Sequence, residues 1–174
     1  MIIRQARETD AAAIAEIANW VIRDTLSTFT TVEKKSAAIE QDIIAKGARF
    51  LVAEEAGKLF GYAYYGPFRA GPGYAHTAEH TVHLHPTVQG RGIGRALMGE
   101  LEQCARADDV HVLVAGVSGA NPAGIAFHAA LGFVEVGRMP EVGRKGGQWL
   151  DMVLMQKILP GKGKPDPDSA DKGR

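Results

Sequence analysis

Three glycines within five residues, Gly90, Gly92 and Gly94, separate a strand-like segment from a helix-like one near the middle of the chain. Before them, residues 77–85 read as a strand whose ladder Pro86 must end. After them, Ile93, Ala96, Leu97, Leu101, Cys104 and Ala105 share one face of a helix. A strand-to-helix turn leaves unpaired N–H groups at the positive end of the helix. Glycines there let backbone approach a phosphate, so the turn can hold a pyrophosphate, with Arg91 and Arg95 adding charge. The same glycines also suit a merely tight turn. The spacing is not G-x-x-x-x-G-K-[ST]. A dinucleotide G-x-G-x-x-G would sit in an early βαβ unit, whereas this turn follows several strands.

Around the turn the pattern alternates. Residues 1–6 suggest a short strand, and Thr9 or Asp10 can cap a helix carrying Ile14, Ile17, Ala18, Val21 and Ile22. A second helix is expected over 36–46, with Gly47 as its stop. Residues 50–54 and 59–65 read as a hairpin, and Gly66 to Ala75 as a loop. A buried strand over 110–117 and a helix from Asn121-Pro122 to Leu131-Gly132 follow. A strand starting over 133–136, a glycine-bearing loop and a strand over 149–158 close the order. This order, β-α-α-β-β-β-α-β-α-β-β, predicts an α/β fold with one central mixed sheet. Residues 1–159 make one domain, and 160–174, with no large apolar side chain, read as a disordered tail.

Lys plus Arg and Asp plus Glu both number 20, so the net charge is +0, which argues against a general nucleic-acid binder. No apolar run approaches the ~20 residues of a membrane span, and the N-terminus lacks the apolar stretch of a secretory signal. Cys104 is the one cysteine and cannot form an internal disulfide, which suits a cytoplasmic location. His83 and His85 share one strand face and His80 points to the other, so a metal site is not expected.

Gln89, Gly92 and Gly94 form Q-x-x-G-x-G, which resembles the acetyl-CoA signature of the GCN5-related N-acetyltransferase (GNAT) superfamily. The element order is similar to that acyl-CoA N-acyltransferase fold, a central mixed twisted sheet flanked by helices. HTAEHTVHLHP, FHAALGF and MPEVGRKGGQWLD resemble the phosphinothricin and methionine sulfone/sulfoximine N-acetyltransferase branch.

The resemblance implies acetyl transfer from acetyl-CoA to the α-amine of a small amino acid analogue, by a homodimer; direct transfer in a ternary complex is expected because no nucleophile is evident for an acetyl-enzyme and Cys104 lies on a helix face. It maps the branch's proposed catalytic glutamate onto Glu79, which would deprotonate the amine. It implies CoA contacts through the main chain of Val82, His83 and Leu84, with Gly90, Arg91, Gly92, Ile93, Gly94 and Arg95 at the pyrophosphate. His128 falls where many relatives carry a tyrosine and would protonate the leaving thiolate; it also reads as a histidine packed at the core edge. Asn121 caps its helix and, by the resemblance, bonds CoA. Phe29, Arg69, Tyr74, Lys145 and Trp149 fall in loops that flank the acceptor in the branch; they also read as loop and interface residues, the stretch from Met139 to Trp149 above all. The branch's K-F-G-R-W is Lys145-Gly146-Gly147-Gln148-Trp149 here, and His83 replaces a tyrosine. Acetylation of another small amine and a non-catalytic acyl-CoA sensor are the alternative functions.

Overall fold

A computed structural model describes residues 1–88 and 90–160. Gln89 of the signature and all of the expected tail beyond Pro160 lie outside the described residues. The strands are β1 (Ile2–Gln5), β2 (Phe50–Glu55), β3 (Lys58–Pro67), β4 (Thr77–Leu84), β5 (Val112–Ser118), β6 (Val134–Lys145) and β7 (Gln148–Ile158). The helices are α1 (Ala11–Asp24), α2 (Ser36–Lys46), α3 (Ile93–Ala107) and α4 (Pro122–Ala130). The strands form one seven-stranded sheet in the order β1-β2-β3-β4-β5-β7-β6, antiparallel except for β4 and β5.

The expected apolar stripes form the core. Ile14, Ile17 and Ala18 of α1 and Ile39 and Ile43 of α2 pack on Phe50, Val52 and Tyr62. On the opposite face, Ile93, Leu97 and Leu101 of α3 pack with Ala63, Ala78 and Leu113. Asp10 stands before α1 but does not cap it. Its carboxylate turns back to the Arg7 N–H and the Arg4 guanidinium, both at 2.7 Å, a charge-assisted pairing that outcompetes a neutral cap.

The structure corrects the expected glycine-bearing loop before the last strand. Residues 134–145 are strand β6, with register shifts between Glu135 and Gly137 and between Met139 and Gly143. These bulges break the apolar/polar alternation by which a strand is read. The turn is confined to Gly146 and Gly147, whose φ of 57° and 79° fit a two-residue hairpin. Among the described residues no helix is long and apolar enough to cross a membrane.

Candidate active site

The one parallel junction is also the incomplete one. β4 and β5 pair only from Thr77 with Val112 to Glu79 with Val114. Beyond that point His80 to Leu84 have no partner on β5, although they continue to pair with β3. The alternation of a strand decides which peptide groups face the gap. His76 O accepts from Val112 N–H across the junction, while Thr77 O accepts from Phe68 N–H and His85 N–H donates to Phe60 O on the other side. Even-numbered residues therefore turn their main chain to β5, so His80, Val82 and Leu84 offer theirs to the gap. The main-chain groups of Val82 and Leu84, two of the three residues expected to meet CoA through the backbone, thus face the gap. The peptide groups of His83 belong to the β3 ladder instead, and His83 reaches the gap with its ring.

A cavity of about 370 Å³ runs through this gap. On the α1/α2 side it is walled by Ser27 to Thr30, Lys34, Tyr62, Tyr64, Thr81 and His83; on the other side stand His80, Val82, Asn121 and His128. The cavity thus takes its walls from both faces of the sheet. His83 accepts or donates with the Tyr62 hydroxyl at 2.7 Å, and its burial draws its pKa down to about 4.

Glu79 sits where the strands part. Gly116 of β5 lies opposite: a Cβ there would stand 3.1 Å from Glu79 Oε1 and 3.4 Å from Met152 Sδ. The missing side chain lets the carboxylate lie against the cavity wall. Partial removal from water raises the Glu79 pKa, which moves a carboxylate toward useful basicity near neutral pH.

His128 is buried on α4, between Phe127 and Phe133. Its Nδ1 lies 2.8 Å from Gly124 O, and its Nε2 lies 3.0 Å from Nε2 of His80. Burial lowers its pKa. Asn121 caps α4, its Oδ1 accepting from the Gly124 N–H at 2.9 Å.

The glycine-rich turn divides its labour. Gly90 and Gly92 have φ of 79° and 77°, and open space surrounds the positions of their absent Cβ atoms. Gly94 is needed for packing: a Cβ would come within 3.1 Å of the Phe127 ring and 3.3 Å of Leu84. Ile93 is buried and anchors the first turn of α3. Arg91 pairs with Glu55 at 2.9 Å, and Arg95 reaches Ala130 O at 3.4 Å; both are exposed at this end of the helix.

The expected acceptor residues disperse. Phe29 lines the cavity and lies over Gly143, where any Cβ would strike its ring. Lys145 is buried and its ammonium donates to Thr28 O at 2.9 Å, tying the Phe29 segment to β6 rather than facing the cavity. Arg69 and Tyr74 border a separate cavity with Arg49, Tyr65 and Asp108. Trp149 is exposed on β7, with the Arg144 guanidinium 5.2 Å from its ring. Sequence reading missed His80, Thr81, Tyr62, Tyr64 and Lys34. Strand alternation around Glu79 could have found Thr81. Lys34 lies in an irregular segment without such a signal, held by two hydrogen bonds between its main chain and the Asn19 side chain. Among the described residues lining the cavity, Lys34 is the one lysine or arginine.

The acetyltransferase (GNAT) domain family matches residues 3–154. The chain is 42% identical over 170 residues to an L-amino acid N-acyltransferase, MnaT, of Escherichia coli (strain K12), covering 95% of this chain and 98% of that one. It is 39% identical to an L-methionine sulfoximine/L-methionine sulfone acetyltransferase of Salmonella typhimurium, covering 95% and 99%. A solved phosphinothricin acetyltransferase from Sinorhizobium meliloti, in complex with acetyl-CoA, superposes with a TM-score of 0.87 at 32% identity, over 95% of this chain and 91% of that one.

Proposed function

Since the chain belongs to the GNAT acetyltransferase family, and is thereby an acetyl-CoA-dependent N-acetyltransferase, we propose that it acetylates the α-amine of a small amino acid or its analogue. Phosphinothricin, methionine sulfoximine and methionine sulfone are the acceptors we favour. The observation that carries this reading is the cavity at the parting of β4 and β5, walled from both faces of the sheet, with the Glu79 carboxylate, unpaired among the described residues, beside Gly116 of its lining.

The residues present fit acetyl-CoA. The gap offers free main-chain groups of Val82 and Leu84 to an amide-bearing arm. The exposed, open turn at Gly90 and Gly92 suits a pyrophosphate at the start of α3. When bound, acetyl-CoA supplies the acetyl group as a thioester. Glu79 takes the proton of the acceptor ammonium, because a free α-amine with pKa near ~8 is mostly protonated at neutral pH. The N–H groups turned to the gap stabilise negative charge that develops on the carbonyl oxygen. His128 supplies a proton to the leaving sulfur.

The acceptor binds on the α1/α2 side of the cavity. Lys34 there suits the carboxylate or phosphinate of an amino acid analogue, and Phe29 and Tyr64 supply apolar walls. This cation disfavours a polyamine. Direct transfer is supported by Cys104: burial raises its thiol pKa and it lies on α3, away from the cavity lining. Val134, Val136, Met139, Val142 and Trp149 leave apolar surface exposed on β6 and β7, which we read as the contact for a second copy of the chain.

The test is a thiol-release screen with acetyl-CoA over amino acids, the three analogues and a polyamine. Turnover is expected with an analogue or another α-amino acid and not with the polyamine. Saturable acetyl-CoA binding without turnover on any amine would overturn the enzyme reading in favour of a sensor.

A further inference from the structure

Two imidazoles meet at the cavity wall with more hydrogen-bond contacts than their own protons can fill. His80 Nδ1 lies 2.9 Å from Val114 O, and His128 Nδ1 lies 2.8 Å from Gly124 O. A carbonyl oxygen only accepts, so both Nδ1 atoms carry a proton. The two Nε2 atoms then face each other at 3.0 Å, and that contact needs a third proton. Two neutral imidazoles bring only two. The row of three hydrogen bonds is complete when the pair holds one proton in excess.

The surroundings are apolar. The Phe133 ring lies 5.3 Å from both imidazoles, and Phe127 packs edge-on to His128. The Lys157 ammonium lies 6.0 Å from the Phe133 ring and is itself paired with the Glu102 carboxylate at 2.8 Å. Glu79, next to His80 in sequence, points to the opposite sheet face. Burial disfavours the cation and draws both imidazoles down, His80 to about 3, so the shared contact between the two Nε2 atoms must work against that cost, and a proton held here is readily surrendered.

We propose that His80 is a positioning residue for acetyl transfer, sharing one proton with His128 Nε2 so that the pair delivers it to the departing CoA sulfur. This rests on the acetyltransferase reading above. The acceptor nitrogen loses two protons overall, by way of Glu79, while one N–C bond forms and the thioester C–S bond breaks. The electron pair of that C–S bond leaves with sulfur. At the pair one Nε2–H bond breaks and one S–H bond forms, leaving two neutral imidazoles that regain a proton from solvent. Net, one proton is released. Transfer is downhill, because an ordinary thiol has pKa about 8.5 and even an unperturbed imidazolium about 6.5. Both rings line the cavity, so the sulfur can reach the proton that they share.

The experiment pairs NMR of histidine-labelled protein, without any substrate, with the pH profile of kcat. A far-downfield proton coupled to an imidazole nitrogen of each residue is expected in the wild-type protein and lost in His80→Asn and in His128→Asn. In His80→Asn, kcat falls about 10- to 100-fold, within the range of general acid catalysis. Its alkaline limb moves to lower pH, because the His128 cation has lost its acceptor, and KM for acetyl-CoA stays. Independent titration of the two rings, or a folded His80→Asn protein with the wild-type pH profile, would overturn the proposal. Absence of turnover in the wild-type protein would overturn the acetyl-transfer reading and this role with it; the shared proton is read without substrate, so the two failures are distinguished.

Discussion

Replacing Gly92 by alanine isolates what the glycine-rich turn contributes. Gly92 has φ 77° and ψ 0°, the left-handed region, in which an L-residue costs roughly 1–2 kcal/mol. No atom lies within 4 Å of the new Cβ, so the substitution introduces conformational strain without a clash. The helix cannot follow a relaxed turn. Gly92 O accepts the Ala96 N–H at 3.1 Å, and Ile93 and Leu97 are locked in the core at 2% and 0% exposure. The turn therefore distorts, and binding a pyrophosphate must restore it at the full cost. An effect of about 1–2 kcal/mol is a 5- to 30-fold rise in Kd for acetyl-CoA. Calorimetric titration measures it directly. Acetyl-pantetheine, which lacks the pyrophosphate, provides the control: its kcat/KM should not change. Gly92→Asn should lose less than Gly92→Ala, because asparagine tolerates this region better. Unchanged acetyl-CoA affinity, or equal losses with both donors, would refute the phosphate-cradle argument.

Other substitutions address the acceptor side. Glu79→Gln should lower kcat by about 10²- to 10⁴-fold with acetyl-CoA affinity intact. The base acts ionised and burial raises its pKa, so wild-type activity should fall as pH drops through that raised value, and the limb should vanish in the variant. Lys34→Met should raise the acceptor KM about tenfold, the loss of one charge-assisted hydrogen bond, without changing Kd for acetyl-CoA. Gly143→Ala drives a methyl into Phe29. It should cost about 1–3 kcal/mol of stability in thermal melts and raise the acceptor KM through displacement of the Phe29 segment.

Much of this arrangement was legible because it is local. The stripe Ile14, Ile17, Ala18, Val21 and Ile22 specified the buried face of α1, and all five residues are buried. The turn at Gly90 and Gly92 carried its own signal in adjacent residues. Long β6 was hidden by its bulges, where Glu141 takes a φ of 55° and the alternation fails. Long-range pairings left no trace in the sequence. Lys145 looks like any loop cation until its ammonium meets Thr28 O, 117 residues away. His80 and His128 lie 48 residues apart. Arg69 and Tyr74 fell within a loop near Glu79 in sequence, yet β3 and β4 carry that loop to the end of the sheet away from the gap, beside Asp108.

The most direct measurement of the account is a single turnover followed by mass. Enzyme is mixed with acetyl-CoA, sampled, and then given methionine sulfone. The predicted result is a protein of unchanged mass before the acceptor is added and one equivalent of α-N-acetyl product afterwards. A protein heavier by one acetyl group in the first sample, passing that group to the acceptor in the second, would contradict direct transfer at the parting of β4 and β5.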